Sequence, residues 1–213
     1  MTFSPRDTWK DIDDVPGALW TRALLDNTRV TSYPDLHRIV VAVDPAASTG
    51  QTGIVVAGVA RIGTDLHGYT IDDVTTPPGT SPADWGLATV AAYNRWKADA
   101  IVAEINHGGD MIENVIRNVE GGKQASYTTV RATRGKYTRA EPVAALFEQG
   151  RGHMVGFYPD LEDELCSYVP GDDSPNRLDA MTWAFTELIL GSTPSWDSIE
   201  GLGEVERYKS RWS

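Results

Sequence analysis

The sequence is poor in cysteine, in long apolar runs and in positive charge. Its 213 residues hold one cysteine, Cys166, which excludes a disulfide framework and any zinc site built on several thiolates. No apolar stretch approaches the roughly 18 residues of a membrane span. The opening MTFSPRDTWKDIDD has no basic region followed by an apolar one, so no secretory signal is expected. Lys and Arg number 19 against 30 Asp and Glu, a net charge of −11. That balance argues against a protein whose only task is to coat nucleic acid, which would carry a basic surface. It leaves room for an enzyme that holds metal ions with carboxylates. No glycine-rich loop ends in Gly-Lys-Ser or Gly-Lys-Thr, so a P-loop ATPase module is absent. With 41% hydrophobic and 23% charged residues, the chain can bury a core, and its length suits one domain. A soluble protein of the cytoplasm is expected.

Residues 1–36 are polar and irregular and read as a linker or remnant segment, with a short helix over Ala18–Leu25. Residues 191–213, rich in Ser, Thr, Pro and Gly, read as a flexible tail. The domain is expected at 37–190. His37–Asp44 is a β-branched run with the pattern of a central strand, and strands at Ile54–Ile62 and His67–Thr75 follow through short turns as an antiparallel meander. At Ser81-Pro82 the period changes to that of a helix over 82–97, with Ser81 as its cap. Next come a strand at Ala100–Glu104, a helix at Gly109–Val119 and a strand at Ser126–Val130. A helix at Thr138–Gln149, a strand at Met154–Phe157 and a helix at Asp160–Cys166 follow. The last helix is expected at Asn176–Leu190, with Leu178, Met181, Phe185 and Leu188 as its core stripe. The order βββ-α-β-α-β-α-β-α-α describes an α/β domain with a mixed sheet.

Asp44 and Glu104 stand at the C-terminal ends of two apolar strands, where ligand sites of open α/β sheets lie. Asp179 sits beside core residue Leu178. The three are 60 and 75 residues apart, yet each lies at a core boundary, so they can converge. Clustered carboxylates repel and take up protons unless cations intervene, and oxygen donors suit Mg²⁺ or Mn²⁺. Asp172 and Asp173, in a Gly-Asp-Asp-Ser-Pro turn, are candidate auxiliary ligands or plain turn residues before an N-capping Ser174. Asp110 reads as a helix cap and Cys166 as a buried small hydrophobe. His107 is either a loop residue or a phosphate contact. Four positive charges, Arg131, Arg134, Lys136 and Arg139, fall within nine residues; this local reversal of charge suits phosphate contacts.

Several of these segments together resemble the nuclease domain of the tailed-phage terminase large subunit. They are Val41-Ala42-Val43-Asp44-Pro45-Ala46, Ile101-Val102-Ala103-Glu104 with Gly108-Gly109-Asp110, Arg139-Ala140-Glu141-Pro142-Val143, Leu161-Glu162-Asp163-Glu164-Leu165 and Asp173-Ser174-Pro175-Asn176-Arg177-Leu178-Asp179-Ala180. The resemblance implies an RNase H-like fold, a mixed sheet with α-helices on both faces. It also implies that Asp44, Glu104 and Asp179 bind two Mg²⁺ or Mn²⁺ ions about 4 Å apart, one activating water and one stabilising the leaving 3′ oxygen. Asp44 would bridge them, with Asp172 or Asp173 auxiliary. The basic segment would grip double-stranded DNA, with little sequence preference and marked salt sensitivity. The family cuts concatemeric DNA during packaging in the bacterial host cytoplasm, alongside a portal protein, a small terminase subunit and an ATPase motor. The motor is absent from this sequence, which reads as an excised domain or a natural truncation.

Three other readings compete. A junction resolvase or transposase core would share the fold. An actin-like ATPase or sugar kinase would use Asp44-Pro45-Ala46-Ala47-Ser48-Thr49-Gly50 as a phosphate loop, but needs a duplicated half for which 213 residues leave no room. A non-catalytic DNA-binding or assembly module would lose nothing with Asp44.

Overall fold

Valine, isoleucine and alanine fill the run from Ile39 to Val43, and Val40, Val41, Ala42 and Val43 are all completely buried in strand β1 (Arg38–Asp44). Burial of successive residues marks a strand covered on both faces. The computed structural model describes residues 14–45, 50–104, 109–130 and 139–191, and of residues 109 and 110 the backbone only. β2 (Gly53–Ile62) and β3 (Asp65–Asp73) continue the antiparallel meander expected from the sequence. α2 (Pro82–Trp96) follows, its N-terminus capped by Ser81, whose hydroxyl accepts from the Asp84 N–H. β4 (Ala100–Glu104), α3 (Gly109–Asn118) and β5 (Tyr127–Val130) come next. α4 (Ala140–Glu148), β6 (Gly152–Met154), α5 (Pro159–Ser167) and α6 (Asn176–Phe185) complete the domain. The six strands lie in the order β5-β4-β1-β2-β3-β6, and β2 alone runs against the others.

Side chains alternate between two cores. Val40, Ala42, Val55, Ala57, Ala100 and Val102 join the core that α4, α5 and α6 cover. Val41, Val43, Ile54, Val56, Ile101 and Ala103 face the core of α2 and α3. The sheet is therefore mixed, with helices on both faces.

Two expected boundaries moved. The strand placed at Met154–Phe157 lies at Gly152–Met154, because Gly156 turns to φ +87°, outside the reach of an extended strand. The last helix is α-helical only to Phe185 and then widens into a π-helical turn, Thr186–Leu190. Cys166 is buried, as expected.

The described part of the segment read as a linker packs on the domain. α1 (Arg22–Thr28) is capped by Thr21, whose Oγ1 accepts from the Leu24 N–H. Trp20 and Leu25 are completely buried, with Trp20 edge-on to Phe147 of α4. Arg29 donates from both guanidinium nitrogens to the buried Glu162 of α5, at 2.7 and 2.9 Å, and Arg22 pairs with Asp163. The core thus extends upstream of residue 37.

At the β3–β6 edge, His67 Nδ1 and His153 Nε2 are 3.0 Å apart, and His153 Nδ1 is 3.0 Å from the Thr28 carbonyl oxygen. A carbonyl only accepts, so His153 carries its proton on Nδ1 and accepts at Nε2 from His67. Desolvation, reinforced by His67 and opposed by the Thr28 bond, holds His153 below its ordinary value of 6.5. With the folded value depressed, the unfolded chain takes up the proton first as pH falls. This contribution to stability is complete above the unfolded value and is lost on acidification. The melting temperature is expected to fall between about pH 7 and pH 5, and less so in His153→Gln. Equal pH dependence in the two proteins, by thermal denaturation, would count against this role.

Candidate active site

Parallel pairing between β1 and β4 runs through Val43↔Ala103, so Asp44 and Glu104, the next residue of each, end side by side. Alternation from Ala42 and Val102 puts both on the face covered by α6. On the other side of Asp44 lies its cross-strand partner Gly53. A Cβ on Gly53 would lie 2.0 Å from the Asn176 carbonyl oxygen and 2.4 Å from its carbon. Only glycine lets the first turn of α6 rest on the sheet here, and that turn carries Asp179. The three acids therefore stand at one end of one face. Asp44 is central, flanked by Glu104 on β4 and by the α6 turn above β2.

Gly53→Ala is expected to force the α6 turn off the sheet, because the obstructing atoms are backbone. The cost should be about 1–3 kcal/mol, as for other overpacked sites. It would appear as a lowered melting temperature together with weaker Mn²⁺ binding. An alanine variant that melts like the parent would refute the close approach.

Glu104 and Asp179 each have a partner already in place. Ser174, expected to cap α6, leaves that position to Pro175 and instead donates its hydroxyl to Asp179 Oδ2 at 2.5 Å. Arg139 Nη1 donates to Glu104 Oε1 at 2.7 Å, in an ion pair whose side chains are 9% and 16% exposed. Its guanidinium carbon lies 4.6 Å from the ring centre of Trp183. Arg139, expected to face DNA phosphate, thus faces a carboxylate. Among the described residues, no three His, Cys, Asp or Glu side chains stand close enough to hold one ion in this arrangement. The donor chemistry nevertheless fits a hard divalent cation, since all three candidate ligands are carboxylates.

Asp172 and Asp173 are exposed in the turn before α6, where the Asp172 N–H donates to the Val169 carbonyl at 3.1 Å. His107, Arg131, Arg134 and Lys136 lie outside the described residues, and the side chain of Asp110 does as well.

Sequence reasoning missed the ionic lock behind the acids. Arg177 on α6 donates to Asp73 Oδ2 at 3.0 Å, Glu164 Oε1 at 2.9 Å, Gln51 Oε1 at 2.7 Å and Asp160 Oδ2 at 3.0 Å. Glu164 also accepts from the Arg177 N–H at 3.0 Å and from Gln51. Burial pushes the Glu164 carboxyl above its ordinary value, against the opposing pull of Arg177, Gln51 and the Leu178 N–H. Asn176 Nδ2 donates to the Gln51 carbonyl at 2.5 Å. These bonds join the start of α6 to α5, β3 and the segment before β2. An open cleft of about 560 Å³ lined by Gln51, Thr75, Asp160 and Arg177 contains none of the three acids. The one sequence cue was Arg177 itself, a basic residue within an otherwise acidic segment.

Residues 41–188 match the family described as the terminase RNaseH-like domain. A search of curated proteins finds no significant match. Among solved structures, the large terminase nuclease from thermophilic phage G20c, with bound zinc, superposes with a TM-score of 0.54 at 12% identity, covering 78% of this chain and 96% of that one. The large terminase nuclease domain from bacteriophage SPP1, with bound Mn, gives 0.51 at 14% identity, over 71% and 87%. The HK97 bacteriophage large terminase gives 0.55 at 11% identity, over 78% of this chain but 43% of that one. At such identities the superpositions establish the shared fold. The family match decides among the readings that strand-end acids alone left open. Together with the six-stranded mixed sheet, it shows that this chain belongs to the terminase RNaseH-like domain family, as a phage terminase nuclease domain.

Proposed function

We propose that the chain is a metal-dependent endonuclease that hydrolyses phosphodiester bonds of double-stranded viral DNA, with little sequence preference, during genome packaging. The observation that carries this reading is the placement of Asp44, Glu104 and Asp179 at one end of one sheet face in a terminase nuclease fold. Asp44 stands between the other two and is suited to share its oxygens with both flanks. Glu104 and Asp179 would each complete one side, and Ser174 fixes the orientation of the Asp179 carboxylate. A pair of Mg²⁺ or Mn²⁺ ions would supply an activated water and stabilisation of the leaving 3′ oxygen. Asp172 and Asp173 would act at the margin of the site. Arg131, Arg134 and Lys136, with His107, would contact DNA phosphates, which makes binding dependent on salt. In its packaging setting, in the host cytoplasm, the domain would act with an ATPase motor, a portal protein and a small terminase subunit.

Digestion of supercoiled plasmid at low salt tests this reading. Nicked and linear products are expected with Mg²⁺ or Mn²⁺, none with EDTA, and progressively less as salt rises. Intact plasmid under every metal condition would overturn the proposal. ATP hydrolysis in its place would favour an actin-like enzyme.

A further inference from the structure

Asp179 is the residue at which the hydrogen-bond ladder of α6 begins: its N–H donates to the Pro175 carbonyl at 3.0 Å. The amides of Asn176, Arg177 and Leu178 lie ahead of that bond and need acceptors from outside the helix. α1 and α2 meet the same need locally, with the hydroxyls of Thr21 and Ser81 at their caps. α6 has no such hydroxyl to use. Pro175 holds its cap position and carries no hydrogen-bonding side chain, and Ser174, one residue earlier, donates to Asp179. The acceptor comes instead from another helix. Glu164 of α5 turns Oε2 to the Arg177 N–H at 3.0 Å and to the Leu178 N–H at 3.4 Å. Its other oxygen, Oε1, accepts from Arg177 Nη1 at 2.9 Å and from Gln51. The two oxygens have separate tasks: one joins the ionic lock, the other closes the start of α6.

Resting on the metal-dependent reading above, we propose that Glu164 is a positioning residue for Asp179, acting from α5 as the N-cap of α6. The backbone of Asp179 is only as fixed as the turn ahead of it, and helix ends fray unless their free amides are held. A carboxylate suits this place, because the start of a helix carries partial positive charge. The Glu164 side chain is 15% exposed, so water competes little for the two amides. The close approach at Gly53 sets how near this turn can come to the sheet, and Glu164 keeps the same turn helical. Arg177 retains Asp73, Gln51 and Asp160 when Glu164 is replaced. The ionic lock then keeps its centre, and the effect falls on the cap.

Amide hydrogen exchange on the metal-free protein tests the cap, and Mn²⁺ binding by calorimetry tests its effect on Asp179. In Glu164→Leu the Arg177 and Leu178 amides are expected to exchange at least about tenfold faster than in the parent. Mn²⁺ should bind at least about tenfold more weakly, as when other groups that orient a metal-binding carboxylate are lost. Adding Pro175→Ser should recover most of both losses by placing a neutral hydroxyl at the cap. The backbone there suits it, since Pro175 has φ −69° and ψ 149°, against −67° and 156° for the capping Ser81. Exchange at the parental rate in Glu164→Leu would overturn the cap. Parental Mn²⁺ affinity alongside fast exchange would overturn the positioning of Asp179. Weak binding that Pro175→Ser does not recover would assign the loss to the missing negative charge and overturn the proposal too. A parent that binds no Mn²⁺ would bring down the metal-site reading, and the positioning role with it, whatever the exchange rates. If Glu164→Leu does not fold, Glu164→Asp takes its place, with the charge kept and the reach one methylene shorter. The same results are then expected, and the same ones would overturn the proposal.

Discussion

Asp44→Asn is expected to abolish metal-dependent nicking of plasmid DNA while leaving the protein folded. The substitution keeps the size and one carbonyl oxygen of the side chain but removes its charge. Changes in the outer shell of metal sites already cost about 10- to 100-fold in affinity or activity. Loss of the proposed central ligand should therefore exceed about 100-fold, and Mn²⁺ should not rescue it. Asp44 closes a strand whose four preceding residues supply the burial, so the substitution leaves that packing untouched. Thermal denaturation should thus show a melting temperature close to that of the parent. Cleavage at the parental rate by Asp44→Asn would sink the assignment of the site. A loss of cleavage accompanied by unfolding would show that Asp44 is structural.

Arg177→Met should do the reverse and strike the fold. Its guanidinium serves Asp73, Glu164, Gln51 and Asp160 at once, with the arginine side chain 13% exposed and those of Asp73 and Glu164 10% and 15% exposed. Methionine replaces much of the aliphatic stem but leaves two largely buried carboxylates unpaired. Removing one partner of a buried ion pair costs about 3–5 kcal/mol, far more than the pair itself contributes. For a domain of this size that corresponds to a fall of roughly 6 to 20 °C in melting temperature. The pH dependence identifies the cause. Burial already raises the Glu164 carboxyl, with Arg177 opposing it, so loss of Arg177 raises it further. A raised folded value means stability that is present in acid and lost as pH rises. The gap between parent and variant should therefore narrow from pH 7 towards about pH 5. A gap that is constant with pH would assign the loss to packing, and a gap near zero would show that the ionic lock holds nothing.

The sequence disclosed what is written in local pattern. β-Branched runs ending in an acid located β1 and β4, and Ser81-Pro82 marked the start of α2. Strand ends also brought Asp44 and Glu104 together, since adjacent parallel strands leave their last residues as neighbours. The partners of those acids were not legible. Arg139 reaches Glu104 across 35 residues and Arg177 reaches Asp73 across 104, and no periodicity encodes a pairing of that kind. A cluster of positive charge suggested DNA, yet its last member turns inward. The upstream segment was misleading for another reason. Its anchoring rests on Trp20, Leu25 and two arginines within a polar stretch, too few apolar residues to show a period. The shift from α to π geometry after Phe185 changes only the backbone spacing, which an apolar stripe does not reveal.

The anchoring of that upstream segment on α5 has a mechanical side. Val15 donates to the Cys166 carbonyl, Trp20 fills a closed socket against Phe147, and Arg22 and Arg29 hold Asp163 and Glu162. All of these precede β1 along the chain. Tension applied at residue 14 would load the Trp20 socket and two guanidinium–carboxylate clasps before it reached any strand. Glu164, on the same helix, is tied to the start of α6. A pull on this end of the molecule would be borne by α4, through the Trp20 socket, and by α5, through the two clasps, before it reached the sheet that seats Asp44 and Glu104.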